Sequence, residues 1–162
     1  MADDGSLEEL YAVSYQRLVG VVGAVARDRV EAEEAVQDAF VRLIGKWSEV
    51  SRYDDPEAWV RRVALGYVSN RRRKTLNGIR AARRHGPAPD VPPPSGDRVD
   101  LRRALAALPR HQREAVVLHE MGLDIATIAR QLDVPEGTVK SRLSRARAAL
   151  APLLREDVND RV

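Results

Sequence analysis

The chain has 162 residues, a net charge of +3, 44% apolar residues and only 4% aromatic ones, so its length allows one domain or two small ones with cores of Leu, Val, Ile and Ala. It has no cysteine, which excludes a disulfide framework or thiolate metal site and suits a reducing cytoplasm. No apolar stretch approaches the length of a membrane span, and the opening MADDGSLEEL lacks the pattern of a signal peptide.

The charge is unevenly placed. Residues 1–50 hold ten acids against five bases, residues 51–100 six against eleven, and residues 101–162 eight against eleven. An acidic front and a basic middle suggest different partners for different parts. The spacing of apolar residues predicts a helix over 7–26, opened by the capping-box pattern Ser6-Leu7-Glu8-Glu9, with Leu7, Leu10, Tyr11, Leu18, Val21, Val22 and Val25 on one face. A second helix is expected over 30–47. Ala32, Ala35, Val36, Ala39, Phe40, Leu43, Ile44 and Trp47 form its core stripe, and Glu33, Glu34, Gln37, Asp38, Val41, Arg42 and Gly45 its outer face. On charge alone that outer face reads as solvated.

A polar segment covers 48–55. Asp55-Pro56-Glu57 then has the form of a helix start: a capping Asp, Pro at the first position and an acid in the first turn. The third helix, over 56–74, turns Trp59, Val60, Val63, Ala64, Tyr67 and Val68 inward and ends in Asn70-Arg71-Arg72-Arg73-Lys74. Four consecutive cations exceed what a helix dipole needs, which favours phosphate binding. From Thr75 to Arg98 the periodicity fails. Arg80, Arg83 and Arg84 precede Pro87, Pro89, Pro92, Pro93 and Pro94, a composition for a semi-rigid extended linker over 81–97 that a protease should cut first.

A second domain is expected over 98–155. Leu101, Ala104, Leu105 and Leu108 share one helix face, and Pro109 opens a helix with Ala115, Val116, Leu118 and Met121 inward. LDIATIARQLDVPEGTVKSRLSRARAAL, residues 123–150, then reads as two helices joined by Asp133-Val134-Pro135. The first buries Ile125, Ile128, Ala129 and Leu132, the second Val139, Leu143, Ala146 and Leu150. Thr138, Lys140, Ser141, Ser144 and Arg145 point away from that stripe, and Arg142 and Arg147 flank it. Gly137, Ser141, Ser144 and Ala148 form a row of small residues that lets the backbone approach a flat surface. Short hydroxyls beside long cations suit a helix that enters the DNA major groove, with Arg145 placed for a base and Arg147 for a phosphate. The tail, 156–162, is polar.

The histidines, His85, His111 and His119, form no ligand set, and the chain has no glycine-rich phosphate loop and no nucleophile elbow. No enzyme activity, metal or cofactor is therefore expected. The residues by themselves fit three readings: a factor with separate protein-binding and DNA-binding surfaces, a helix-turn-helix regulator that binds duplex DNA alone, or, with no motif behind it, an enzyme with an unrecognised site. The second leaves the outer face from Glu34 to Arg42 and the cationic run from Arg71 to Lys74 without a role.

The chain resembles the extracytoplasmic-function sigma factors of bacterial RNA polymerase. AEEAVQDAFVRLIGKW (32–47) looks like the region-two helix that grips the polymerase clamp, and DPEAWVRRVALGYVSNRRRK (55–74) like the helix that melts and reads the minus-ten element. ALPRHQREAVVLHEMGLDIATIARQLDVPEGTVKSRLSRARAAL (107–150) looks like region four, which reads the minus-thirty-five element. The resemblance implies an all-α fold of two small helical domains, region two over 1–80 and region four over 98–155. It implies that core RNA polymerase meets Glu34, Gln37, Asp38 and Arg42. Promoter DNA would meet Arg52, Tyr53 and Asp54 in a loop that captures a flipped base. It would also meet Asn70, Arg71, Arg72, Arg73 and Lys74, and Thr138, Lys140, Ser141, Arg142, Ser144, Arg145 and Arg147. The resemblance further implies an anti-sigma factor as regulator and a cytoplasmic location. Three positions depart from the family: Asp133 replaces a turn glycine, Gly66 a frequent asparagine and Asn70 a frequent aspartate. The last two bear on which promoter sequence is read.

Overall fold

The computed structural model describes residues 4–79 and 97–159, with side chains over 6–71, at 74 and over 101–153. Among them every regular element is a helix, and the chain divides into two compact units, each with its own core. The expected linker over 81–97 falls almost wholly outside the described residues.

The first unit holds α1 (Asp4–Ala26), α2 (Arg29–Ile44), α3 (Trp47–Val50) and α4 (Pro56–Ile79). Leu18, Val22 and Val25 of α1, Ala32, Ala35, Val36, Ala39 and Leu43 of α2, Trp47 and Val50 of α3, and Val60, Ala64 and Val68 of α4 are buried together. The three alanines keep α2 slim where its neighbours pack on it. Helix α1 begins before Ser6, so Ser6 lies inside the first turn and does not cap it. At the α1–α2 turn Arg27 adopts a left-handed conformation (φ 63°), and its N–H reaches the Gly23 carbonyl at 2.8 Å. Asp28 then caps α2 by accepting from the amides of Val30 (2.9 Å) and Glu31 (3.2 Å).

Helix α2 stops at Ile44, three residues before the expected end at Trp47. Gly45 is the weakest helix former in that stretch, and the Lys46 amide bonds the Leu43 carbonyl (2.9 Å) in a tighter turn. The chain restarts at Trp47, which is buried, and Ile44 is left outside the core stripe with 66% exposure. The polar segment is thus helical at its start. At its end Asp55 accepts from the Ala58 amide (3.1 Å) and starts α4. Helix α4 continues five residues past Lys74: the apolar rhythm is lost there, but no proline stops the backbone before Ile79.

The second unit holds α5 (Asp97–Ala107), α6 (Arg110–Glu120), α7 (Ile125–Leu132) and α8 (Glu136–Asn159). Its core joins Ala104, Leu108, Ala115, Val117, Leu118, Ile128, Ala129, Val139, Leu143 and Ala146. Val117 takes the buried place expected of Val116, and Leu101 is half exposed. Arg113 is buried and donates from Nη1 to the Leu108 carbonyl (3.1 Å), satisfying an acceptor at the end of α5. Asp124 caps α7 by accepting from the Thr127 amide (2.7 Å), which holds its carboxyl below the usual value. Asp133 stands at φ 52°, the left-handed position that a turn glycine otherwise fills, and the Val134 amide returns to the Ala129 carbonyl (3.0 Å). The Pro135 carbonyl accepts from Thr138 and Val139, opening α8. Helix α8 runs through Asn159, so most of the expected polar tail is helical.

Candidate protein and nucleic-acid interfaces

Four residues on α2 were expected to meet a protein, and the fold gives them different surroundings. Glu34 is exposed and forms an ion pair with Arg71 of α4. The bond to Glu34 raises the Arg71 guanidinium above its ordinary value, and the coulombic attraction adds to it. Gln37 donates from Nε2 to the Tyr15 hydroxyl of α1 (3.2 Å). Asp38 is less open than its place on the outer face implied: Arg42 Nε lies 2.8 Å from Oδ2, and that oxygen is covered. The N–H does not point along this oxygen, so the contact is ionic without an aligned hydrogen bond. Arg42 itself is exposed.

Sequence reasoning placed Val41 on this outer face without giving it a partner, and placed Ile44 in the core stripe. Each is 66% exposed, and Val41 follows Gln37 by one helical turn. They put an apolar patch beside the polar face. The only sequence signal for Ile44 was its closeness to Gly45, where the core stripe ends.

The loop between α3 and α4 exposes Arg52, Tyr53 and Asp54. The Tyr53 hydroxyl donates to Glu49 Oε1 (2.8 Å), a bond that raises the phenol above its ordinary value. Downstream on α4, Asn70, Arg71 and Lys74 are exposed, while the Arg72 and Arg73 side chains lie outside the described residues. The start of α4 is tied to α1 through Glu57: Arg17 Nε donates to its Oε1 (3.1 Å), and buried Arg61 approaches the same carboxylate at 3.9 Å. Glu57 chiefly raises Arg17, while burial lowers Arg61.

On α8, Lys140, Ser141, Ser144, Arg145 and Arg147 are exposed, and Thr138 and Arg142 are half-buried. Among the described side chains none of these seven has an ion pair or hydrogen bond. The helical spacing sorts them into neighbouring stripes. Ser141 and Arg145 lie on the outermost one; Lys140, Ser144 and Arg147 lie on the edge turned toward α6 and α7, where they line a shallow recess with His119, Ile125 and Leu143. Sequence reasoning missed His119, because nothing in the sequence brings it to α8. No cluster of three metal-ligating side chains occurs among the described residues, and no helix there is long and apolar enough to cross a membrane.

The family description Sigma-70 region 2 matches residues 10–77, and Sigma-70, region 4 matches residues 98–150. The ECF RNA polymerase sigma factor SigM of Mycobacterium tuberculosis is 36% identical over 163 residues, covering 94% of this chain and 79% of that protein. In fold, the chain is similar to the sigma factor RpoE solved with the anti-sigma factor NepR from Bartonella quintana (TM-score 0.78, 23% identity, 93% and 97% of the two chains). It is also similar to CnrH, solved with the cytosolic domain of CnrY (TM-score 0.64, 22% identity, 96% and 91%). Region two and region four match in the order of the two helical units, and the chain belongs to the extracytoplasmic-function sigma factors of the sigma-70 family.

Proposed function

We propose that this chain binds core RNA polymerase through α2 and carries it to promoters read by α4 and α8. The observation that carries the reading is the bare outer face of α8, where Ser141 and Arg145 stand on a rigid, buried-stripe helix without partners among the described residues. An arginine in that position is able to take both acceptors of a guanine, and the hydroxyls reach bases or phosphates. The polymerase-facing surface is Glu34, Gln37, Asp38 and Arg42, extended by the apolar pair Val41 and Ile44. Arg52, Tyr53 and Asp54 border the place for a base taken out of the stack, a step that costs a few kcal/mol and is easiest where the duplex is weak. Arg71, Arg72, Arg73 and Lys74 neutralise phosphates of the opened strand, and the Asn70 amide hydrogen-bonds to that strand.

The division of labour follows the region-two body over 1–80, a linker over 81–97, the region-four body over 98–155 and a tail over 156–162. The factor directs chemistry that the polymerase performs and carries no catalytic group of its own; it works in the cytoplasm. An anti-sigma factor regulates it, a reading supported by RpoE having been solved with one. Run-off transcription with core polymerase tests the proposal: the chain should yield a transcript that core alone does not. Tight binding of duplex DNA with no effect on core would favour a stand-alone regulator.

A further inference from the structure

The recess beside α8 has a floor of Ile125 and Leu143 and a rim of His119, Lys140, Ser144 and Arg147. Its polar rim supplies two permanent cations, a hydroxyl and an imidazole, drawn from α6 and α8. Two acids stand near it. Glu120 Oε1 lies 3.7 Å from His119 Nδ1, and Asp124 is occupied as the α7 cap by the Thr127 amide. Lys140 and Arg147 have no ion partner among the described residues, so their charge is not spent within the unit. In a helix-turn-helix the second helix lies in the groove while the first crosses the backbone beside it. With α8 as the groove helix, a recess between the edge of α8 and the start of α7 borders the path of the flanking strand. A non-bridging phosphate oxygen accepts from ammonium, guanidinium, hydroxyl and imidazole alike.

We propose that His119 joins Lys140, Ser144 and Arg147 in holding one DNA backbone phosphate at the edge of the groove that α8 enters. The contact fixes the register of α8 and carries no base information. It rests on the reading of α8 as the groove helix, and it adds to that reading a residue from outside the helix-turn-helix.

The test uses the full chain assembled with core polymerase and duplex fragments bearing either a cognate or a scrambled minus-thirty-five element. Affinity is measured over a salt series for the parent, His119→Lys and His119→Glu, with circular dichroism on each free protein. A cation added beside the backbone steepens the slope of log affinity against log salt, by at most about 0.9 for one phosphate. His119→Lys should do this on both fragments, while His119→Glu should flatten the slope and weaken both fragments alike. A loss of folded protein lowers the active fraction without changing the slope, so a merely structural histidine gives parallel lines. Slopes of both variants superimposed on the parent would overturn the proposal, including the case in which the rim instead serves an acidic protein segment. Arg145→Ala run in parallel separates base reading by α8 from the phosphate contact. If it keeps full preference for the cognate fragment, the base-reading assignment fails whatever His119 does. If it loses that preference while the His119 slopes stay fixed, only the phosphate site fails.

Discussion

Helix α4 and helix α8 both present cations toward solvent, yet their cations begin from different states. Arg71 on α4 is held by Glu34 of α2, a residue from the face expected to meet polymerase. The cations of α8 have no such ties among the described residues. The difference comes from packing: α2 and α4 lie side by side over one core, so their polar edges meet, whereas the outer stripe of α8 faces away from every neighbour in its unit. A DNA strand approaching α4 must therefore compete with an internal carboxylate, and one approaching α8 need not. Both partners of the Glu34–Arg71 pair are about half exposed, so solvent screens it and the competition is small, about 0.2–1 kcal/mol. The pair positions Arg71 more than it restrains it.

Charge reversal on α2 should have the largest effect. Asp38→Arg should fold, since an ion pair this open to solvent on its Arg42 side contributes little, but should weaken core binding by several kcal/mol as the new charge meets a surface built for the old one. Circular dichroism and a core-binding assay check both halves. Because one Asp38 oxygen is covered, Ile44→Asp serves as a second probe of the same surface at a more exposed position. Native core affinity in both variants would return α2 to an ordinary solvated face.

A smaller effect is expected on α8. Arg145→Ala should leave core binding intact and cost about 1–3 kcal/mol of discrimination at one base position, read by competition between cognate and substituted promoter fragments. Arg147→Ala, on the recess edge, should weaken every sequence alike.

Removing the Asp28 cap with Asp28→Ala leaves the Val30 and Glu31 amides without their acceptor and should cost about 1 kcal/mol in urea unfolding, with no specific effect on either interface. Smaller again is the tie between the helices. A double-mutant cycle of Glu34→Ala and Arg71→Ala, read by the same unfolding assay, should give a coupling of about 0.2–1 kcal/mol that shrinks as salt rises. The mildest signal is at Asp124. Its folded carboxyl lies below the unfolded value, so its contribution is complete above the unfolded value and is lost as pH falls through the folded one. Asp124→Asn should remove that acid dependence from the unfolding midpoint of the chain.

Local pattern carried much of this far. The periodicity of Ala32, Val36, Ala39 and Leu43, the Asp55-Pro56 start of α4, and the Asp133-Val134-Pro135 turn are each decided by backbone propensity, capping and one apolar stripe, all of which act within a few residues. That is why the two helical units and the outward chemistry of α8 were legible in the sequence. Tertiary structure decided the rest. Whether Ile44 belongs to the core depends on where α2 stops and on the absence of a neighbour beside it. Whether Glu34 and Arg71 are free depends on two helices meeting across 37 positions of sequence. His119 reaches the edge of α8 only because α6 packs against that helix. Sequence spacing fixes which residues share a face of one helix; which faces meet is set by the shape of the core between helices, and that is written nowhere in the local pattern.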